Sequence, residues 1–572
     1  MAVRKVKKRG APAAALLPAE PAGSWQTRIR PFLDRHALAL VVCLVLLATL
    51  RIVSTYSELS LTIDEPEHFA AGLQYLSSHV YNRGWEHPPL ARVAAAMGPY
   101  LAGVRPTFGP RADLEGVDLI RASGQVDRMS FLIRAGILPF FWIACIIVYL
   151  WASRFVSAGV GAIATGLFTL TPPVLAHAGL ATTDMALTAC LPAAFLALLV
   201  WAESPAWQSA AVLGVAAALA ALSKFTALGY LPATAALSLG IWLSVRRPSP
   251  AELARLARQR LATFGFAVVV GCMVVWAAYC FSFGAVVKWG VNLPAPEFFD
   301  GILNASAHNG QGHPGYLLGE TSLKGWWYFF PVALAVKTPL AILLLAVPGV
   351  AVVWKSRRSR GYLTFAAFPL GVLLPAMTSH VNIGVRHVLP IYAGISILAA
   401  LGISRLPAGA TTAKAALIWI AAPLVWLAVS GILMHPDYLA YFNALAGREP
   451  EKILVDSDLD WAQETKRLQR RLREVHAGHV AIKFAEAVSY PLYDLGKTSP
   501  IDPVSPSPGW NVLSPTAWKH PDPNRVLHGT DLNSLIQAEK APEPWYDRVS
   551  PTERVGALLL FYFPPDSPLL RR

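Results

Sequence analysis

The chain has 572 residues, of which 54% are hydrophobic and only 15% charged, with a mean hydropathy of +0.44. A soluble domain carries about 25% charged residues, so this composition excludes a disordered chain, a collagen-like fibre and an ordinary cytosolic enzyme, and points to a surface held largely in lipid. Lys and Arg number 49 against 35 Asp and Glu, a formal charge of +14, and in so apolar a chain the first test of that excess is whether it sorts to one side of a membrane.

The N-terminal MAVRKVKKRG is basic, and the chain stays polar to about residue 36. The first apolar run starts too late and is too long for a simple signal peptide, so it reads as a retained span. Crossing a hydrocarbon core of about 30 Å takes about 20 residues. Eleven runs approach or exceed that length: 37–56, 131–151, 158–174, 183–201, 207–222, 225–245, 261–281, 327–353, 361–379, 388–404 and 413–434. With the N-terminus inside, the tail to residue 36 carries eight Lys/Arg and the inside segments twenty in all, while the short outside loops carry one each, Lys224 and Arg386. That positive-inside pattern places 57–130, 282–326 and 435–572 outside. The expected fold is mainly α: a polytopic membrane protein with a basic cytoplasmic tail (1–36), about eleven spans (37–434) and a C-terminal extracytoplasmic domain (435–572).

The first outside segment opens with TIDEPEHFAAGLQYLSS. Thr62 is a capping candidate, acids follow in the first turn, and Phe69, Leu73 and Leu76 share a face, which predicts a short amphipathic helix. Pro88-Pro89 predicts the start of a second, LARVAAAMGPYLAG, and both are expected in the membrane interface. In the C-terminal segment KILVDSDL, WAQETKRLQRRLREV and HVAIKF read as strand, helix and strand, followed by a stretch with Pro491, Pro500, Pro503, Pro506, Pro508, Pro515, Pro521 and Pro523. A small α/β domain with irregular loops is expected there. The five cysteines, Cys43, Cys145, Cys190, Cys272 and Cys280, all lie in apolar runs and read as small core residues.

Besides Lys414 at the inner end of the last span, three basic residues fall inside the predicted spans: Arg51, Arg134 and Lys337. A charge at membrane depth needs a partner, water or a route to the interface. Asp64-Glu65 follow the first span where it leaves the membrane. A carboxylate there can deprotonate an incoming hydroxyl or steady developing positive charge, and it can equally be a first-turn helix acid. Glu86-His87-Pro88-Pro89-Leu90-Ala91-Arg92, Asp184, Lys224 and Arg386-His387 fall at the same outer depth. One acid with several cations suits displacement of a phosphate, the cations stabilising the leaving group and the acid activating the nucleophile. The bland alternative is a scattered set of surface charges. No Walker A sequence, strand-borne GxGxxG, HExxH or GxSxG elbow is present, and no ligand spacing supports a metal; no cofactor is expected, with a divalent cation unsupported by the sequence.

The acidic pair in the first outside loop, the HPPLxR of residues 87–92 and Arg134 early in the second span together resemble the GT-C membrane glycosyltransferases. The likeness is to glycosyltransferase family 39: protein O-mannosyltransferases and bacterial relatives that include lipid A aminoarabinose transferases. It extends over roughly residues 37–470 and includes Thr183-Asp184, Ser223-Lys224, GYLLGETSLKGWWYFFPVALAVKTP (315–339) and NIGVRHVLP (382–390). The resemblance implies an inverting, mannosyltransferase-like enzyme with a polyprenyl-phosphate sugar donor and a lipid, glycan or protein acceptor. It places that enzyme in the plasma membrane, the inner membrane of a bacterium, with the reaction outside the cytoplasm. It implies Asp64 as the catalytic acidic residue of the first loop, Glu65 as its neighbour, and His87, Arg92 and Arg134 near the donor phosphate. Aminoarabinose transferases carry Lys before Pro-Pro where this chain has His87, as O-mannosyltransferases do, which argues against an aminoarabinose donor. The repeated β-trefoil of many eukaryotic O-mannosyltransferases is missing, so the likeness does not imply a protein acceptor. The competing reading is a transporter or lipid-linked sugar flippase without chemistry; it predicts internal repeats and midplane polar groups, whereas this sequence shows no repeat and gathers its polar groups toward the outer face.

Overall fold

The computed structural model describes residues 29–84, 86–359, 361–405, 413–484, 489–520 and 544–571. Most of the basic tail, with Pro521 and Pro523, lies outside the described residues. Among the described residues, five helices are long and apolar enough to cross a membrane: Arg30–Ser57, Val126–Phe155, Asp184–Glu203, Ala227–Arg246 and Pro250–Ala278. Two bent pairs, Ala158–Thr169 with Pro172–Ala178 and Phe329–Lys337 with Leu340–Lys355, pass the same test together, and four shorter apolar helices follow the remaining runs.

These helices are apolar on their outer faces as well as inside. Leu38 and Leu50 are each 67% exposed, Val347 70% and Leu433 77%. In water such faces would be sites of aggregation; against hydrocarbon they carry no penalty. Between helices, small residues let backbones approach. A Cβ on Gly349 would stand 1.8 Å from the Leu398 carbonyl, and one on Gly402 would stand 2.0 Å from the Leu345 carbonyl, so the helices Leu340–Lys355 and Ile391–Arg405 meet backbone to backbone at both points.

Two of the expected spans are sharply bent, and a third, within Val126–Phe155, carries a short turn without a sharp bend. Residues 131–151 become two helices, Val126–Ala135 and Leu138–Phe155. The bent pairs turn by 71° and 112°. The sharper bend falls at Thr338-Pro339, where Thr338 is extended (φ −86°, ψ 132°), because a proline disfavours helical backbone in the residue before it. Arg51 does not reach outward for solvent: its Nε donates to the Tyr438 hydroxyl at 3.0 Å, and the guanidinium lies over that ring.

The segments between the apolar helices pack against one another. Helices Glu65–Ser78, Pro89–Leu101 and Ala112–Ala122 form a cluster, and in the first of these Phe69, Ala70, Ala71 and Leu73 are 0% exposed. Its face, rich in Ala and Gly, is buried against protein. Gly72 is its closest contact, since a Cβ there would stand 2.0 Å from the Arg92 carbonyl.

The C-terminal unit holds a five-stranded sheet ordered Lys497–Pro500, His479–Lys483, Gly509–Leu513, Leu558–Phe563 and Glu553–Val555. The first three strands run parallel and the last two join antiparallel. Alternation along the strands splits its core: Val480, Val512 and Leu560 face the helix Thr465–Glu474, while Ala481, Leu513 and Leu559 pack with Trp545 on the other side. KILVDSDL, expected as a strand, is instead irregular, with short 3-10 turns at Pro450–Lys452 and Asp456–Asp458. Its acids explain the difference. Asp458 is 1% exposed and accepts the Val385 N–H at 3.0 Å, and Asp460, just past the segment, is 3% exposed and accepts from Ser514, so these side chains bind loops rather than alternate on a sheet. Leu454 and Trp461 join the same hydrophobic core as the apolar helices.

Candidate functional site

Four loops converge at one end of the apolar helices. Asp64 is the N-cap of Glu65–Ser78 and its side chain keeps 31% exposure. Its Oδ2 accepts from Arg386 Nη1 at 2.9 Å. Arg386 comes from the 3-10 turn Val385–Val388, and its Cζ lies 4.0 Å from the centre of the Trp461 ring. Beside this pair, Lys224 Nζ donates to Asp184 Oδ1 at 2.6 Å, and Thr182 Oγ1 donates to Oδ2 at 3.0 Å. Lys224 is 5% exposed and Asp184 1%. Asp184 stands within electrostatic reach of Arg386, His177 and His387 as well. The first-loop and re-entry acids are thus each matched by a cation brought from a distant loop.

Histidines surround the two pairs. His68 and His87 stack edge to face at 5.1 Å. Burial first, and then the Arg92 charge, holds both well below the usual histidine range, and burial with Lys224 and Arg386 does the same for His387. They are therefore neutral hydrogen-bonding groups. Arg386 Nε, His387 Nε2, His87 Nδ1 and His177 Nδ1 are buried without a hydrogen-bond partner among the described residues. Buried polar atoms are ordinarily satisfied, so a group of orphans beside a partly exposed carboxylate marks a place where a polar ligand completes the bonding.

Two arginines expected near a donor phosphate are committed elsewhere. Arg134, 0% exposed, donates from Nε and Nη2 to the two oxygens of Glu65 at 2.8 Å each, and to the carbonyls of Leu59 and Ser60 at 3.1 and 2.5 Å. Glu65 also accepts the N–H groups of Thr62 and Ala181 at 2.7 and 2.9 Å. Thr62 therefore serves the Glu65 carboxylate and makes no helix cap. Arg92, also 0% exposed, donates to His68, Tyr81, Glu67 and the carbonyls of Arg83 and Gly84. In this arrangement both guanidiniums donate to groups of the protein itself. The reason lies in the bidentate fork of arginine, which matches a carboxylate and carbonyls as well as it matches a phosphate. Arg386 is left as the cation on Asp64, and Lys224 as the cation on Asp184. Lys337 is also consumed, donating to the carbonyls of Leu439 and Asp458 at 2.7 and 2.5 Å.

Three contributors escape the sequence reading. His68 lies one helical turn after Asp64, so i, i+4 spacing offered a signal for it. His177 sits in the short helix Pro172–Ala178 within an apolar stretch, and Trp461 comes from the C-terminal segment; nothing local marks either. No group of three or more His, Cys, Asp or Glu among the described residues could hold a metal ion.

No family model and no curated relative matches the chain. Among solved structures it is similar to ArnT from Cupriavidus metallidurans bound to undecaprenyl phosphate, at 14% identity over 91% of this chain and 97% of that one, TM-score 0.49. It is also similar to the oligosaccharyltransferase AglB from Archaeoglobus fulgidus in complex with an inhibitory peptide and a dolichol-phosphate, at 12% identity over 68% and 55%, TM-score 0.42. A third likeness is to the S. cerevisiae protein O-mannosyltransferase Pmt1-Pmt2 complex bound to the sugar donor, at 18% identity over 43% and 33%, TM-score 0.31. Likeness at this level carries no reaction with it.

Proposed function

We infer that the chain is an inverting membrane glycosyltransferase that moves a sugar from a polyprenyl-phosphate donor to an acceptor on the outer face. The observation that carries this reading is the partly exposed Asp64 carboxylate held by Arg386, beside Lys224–Asp184 and a set of unpartnered histidine nitrogens. In such a transfer the bond from the anomeric carbon to the phosphate oxygen breaks and the electron pair leaves with the phosphate. The acceptor hydroxyl attacks from the opposite face and gives its proton to Asp64. Lys224 and Arg386 offset the charge that grows on the leaving phosphate, and the neutral histidines supply donors and acceptors for sugar hydroxyls. A pure transporter has no need of a partly exposed carboxylate held by an arginine at one end of the helices.

The test is incubation of the purified protein with a radiolabelled polyprenyl-phosphate sugar and membrane extract as acceptor source. Label leaving the polyprenyl carrier for an acceptor supports the reading; label that stays wholly on the carrier overturns it. Lys224→Met is expected to weaken binding of undecaprenyl phosphate about tenfold or more, the worth of one hydrogen bond to a charged group. An unchanged dissociation constant would remove Lys224 from the phosphate site. Sidedness has its own check. Val504, 59% exposed in the C-terminal unit, replaced by Cys in a cysteine-free chain, is expected to react with an impermeant maleimide added from outside. Reaction from the cytoplasmic side alone would place the site on the other face.

A further inference from the structure

The segment 457–466 of the C-terminal unit runs between the loop that supplies Asp64 and the loop that supplies Arg386. Toward the first, the Trp461 carbonyl accepts the Ile63 N–H at 3.3 Å, the Gln463 carbonyl accepts the Ser60 N–H at 2.9 Å, and the Lys466 N–H donates to the Ser60 hydroxyl at 2.7 Å. Toward the second, Asp458 accepts the Val385 N–H at 3.0 Å and the Ser457 hydroxyl donates to the Ile383 carbonyl at 2.6 Å. Trp461 stands at the middle of this bridge, 3% exposed, with its ring against the guanidinium of Arg386. Its backbone N–H donates to the Gln463 side chain at 2.7 Å, which fixes the main chain that carries the indole.

Asp64 anchors Arg386 at one nitrogen only, which leaves the plane of the guanidinium free to turn about that contact. An aromatic face removes this freedom, because a weakly hydrated planar cation stacks on it. With the plane fixed, Nη1 meets Asp64 while Nε, buried and unpartnered, keeps one direction. The same residue holds the backbone next to Asp64 through Ile63. We propose that Trp461 is a positioning residue that sets the relative geometry of Asp64 and Arg386, so that the C-terminal unit is a working part of the site. The proposal rests on the transfer reading above.

A double-mutant cycle on sugar transfer tests it. Trp461→Leu keeps apolar bulk without a π face, and Trp461→Phe keeps a face. In the wild-type background Trp461→Leu is expected to lower kcat about tenfold, and Trp461→Phe to recover most of that loss. In an Arg386→Met background Trp461→Leu should change kcat less than about twofold, because its effect passes through Arg386. Equal losses from Trp461→Leu in both backgrounds, or a Phe variant as poor as Leu, would reduce Trp461 to a packing residue and overturn the proposal. A wild-type protein that transfers no sugar contradicts the transfer reading and this inference with it. A wild type that transfers, with additive losses at 461 and 386, overturns this inference alone.

Discussion

Asp64→Asn is expected to lower turnover about 10²–10⁴-fold, the usual worth of a general base, while binding of the donor is largely kept. The amide has the size of the carboxylate and can still accept from Arg386, so the loop is not disturbed. What it loses is the capacity to take the acceptor's proton. The side chain is suited to that task by its 31% exposure and its single ion pair, whereas its neighbour Glu65 is 0% exposed. Single-turnover kinetics with bound donor would separate the steps. Turnover within twofold of wild type would move the base elsewhere, with Asp184 as the next acid in the cluster. Loss of donor binding instead would make Asp64 a binding residue.

The second large effect falls on folding. Arg134→Ala leaves the Glu65 carboxylate buried with two N–H donors and no cation, and Glu65→Ala leaves a guanidinium buried beside two carbonyls. Removing one partner of a buried ion pair costs about 3–5 kcal/mol, a large share of what holds most domains folded. Both variants should show poor yield and a lowered unfolding temperature in detergent. The pair joins the start of the helix Glu65–Ser78 to Ala181 and to residues 59 and 60, so the whole outer edge of the site depends on it. A well-folded Arg134→Ala protein with weakened donor binding alone would restore the phosphate role that the family resemblance implies.

Much of the framework was legible because its causes are local. Long apolar runs and loop charges locate helices from sequence, and Pro88-Pro89 marks the start of a helix wherever the chain goes next. The breaks in the helices were less visible. Thr338-Pro339 carried a signal, but the interruption after Ala135 sits where Gly136 presses on the Ala94 carbonyl, 2.0 Å from an imagined Cβ, a contact made by a distant helix. KILVDSDL misled because its apolar residues suit a strand while its acids are buried by loops far off in sequence. In the site, residue types were readable and pairings were not. Arg92, Arg134, Lys224 and Arg386 all stand near one depth in the sequence, and only the fold decides that Arg134 pairs with Glu65, Arg92 with Glu67, Lys224 with Asp184 and Arg386 with Asp64. Trp461 lies 397 residues beyond Asp64 in number (461 minus 64), and no local pattern joins them.

The most direct measurement follows both the carrier and the sugar in proteoliposomes loaded with a radiolabelled polyprenyl-phosphate sugar and an acceptor extract. Wild-type protein is expected to release free polyprenyl phosphate in step with labelled acceptor, and Asp64→Asn, bound to the same donor, to release almost none. Movement of intact donor across the bilayer with no cleavage of its sugar–phosphate bond, equal in wild type and Asp64→Asn, would contradict the account and leave a flippase in its place.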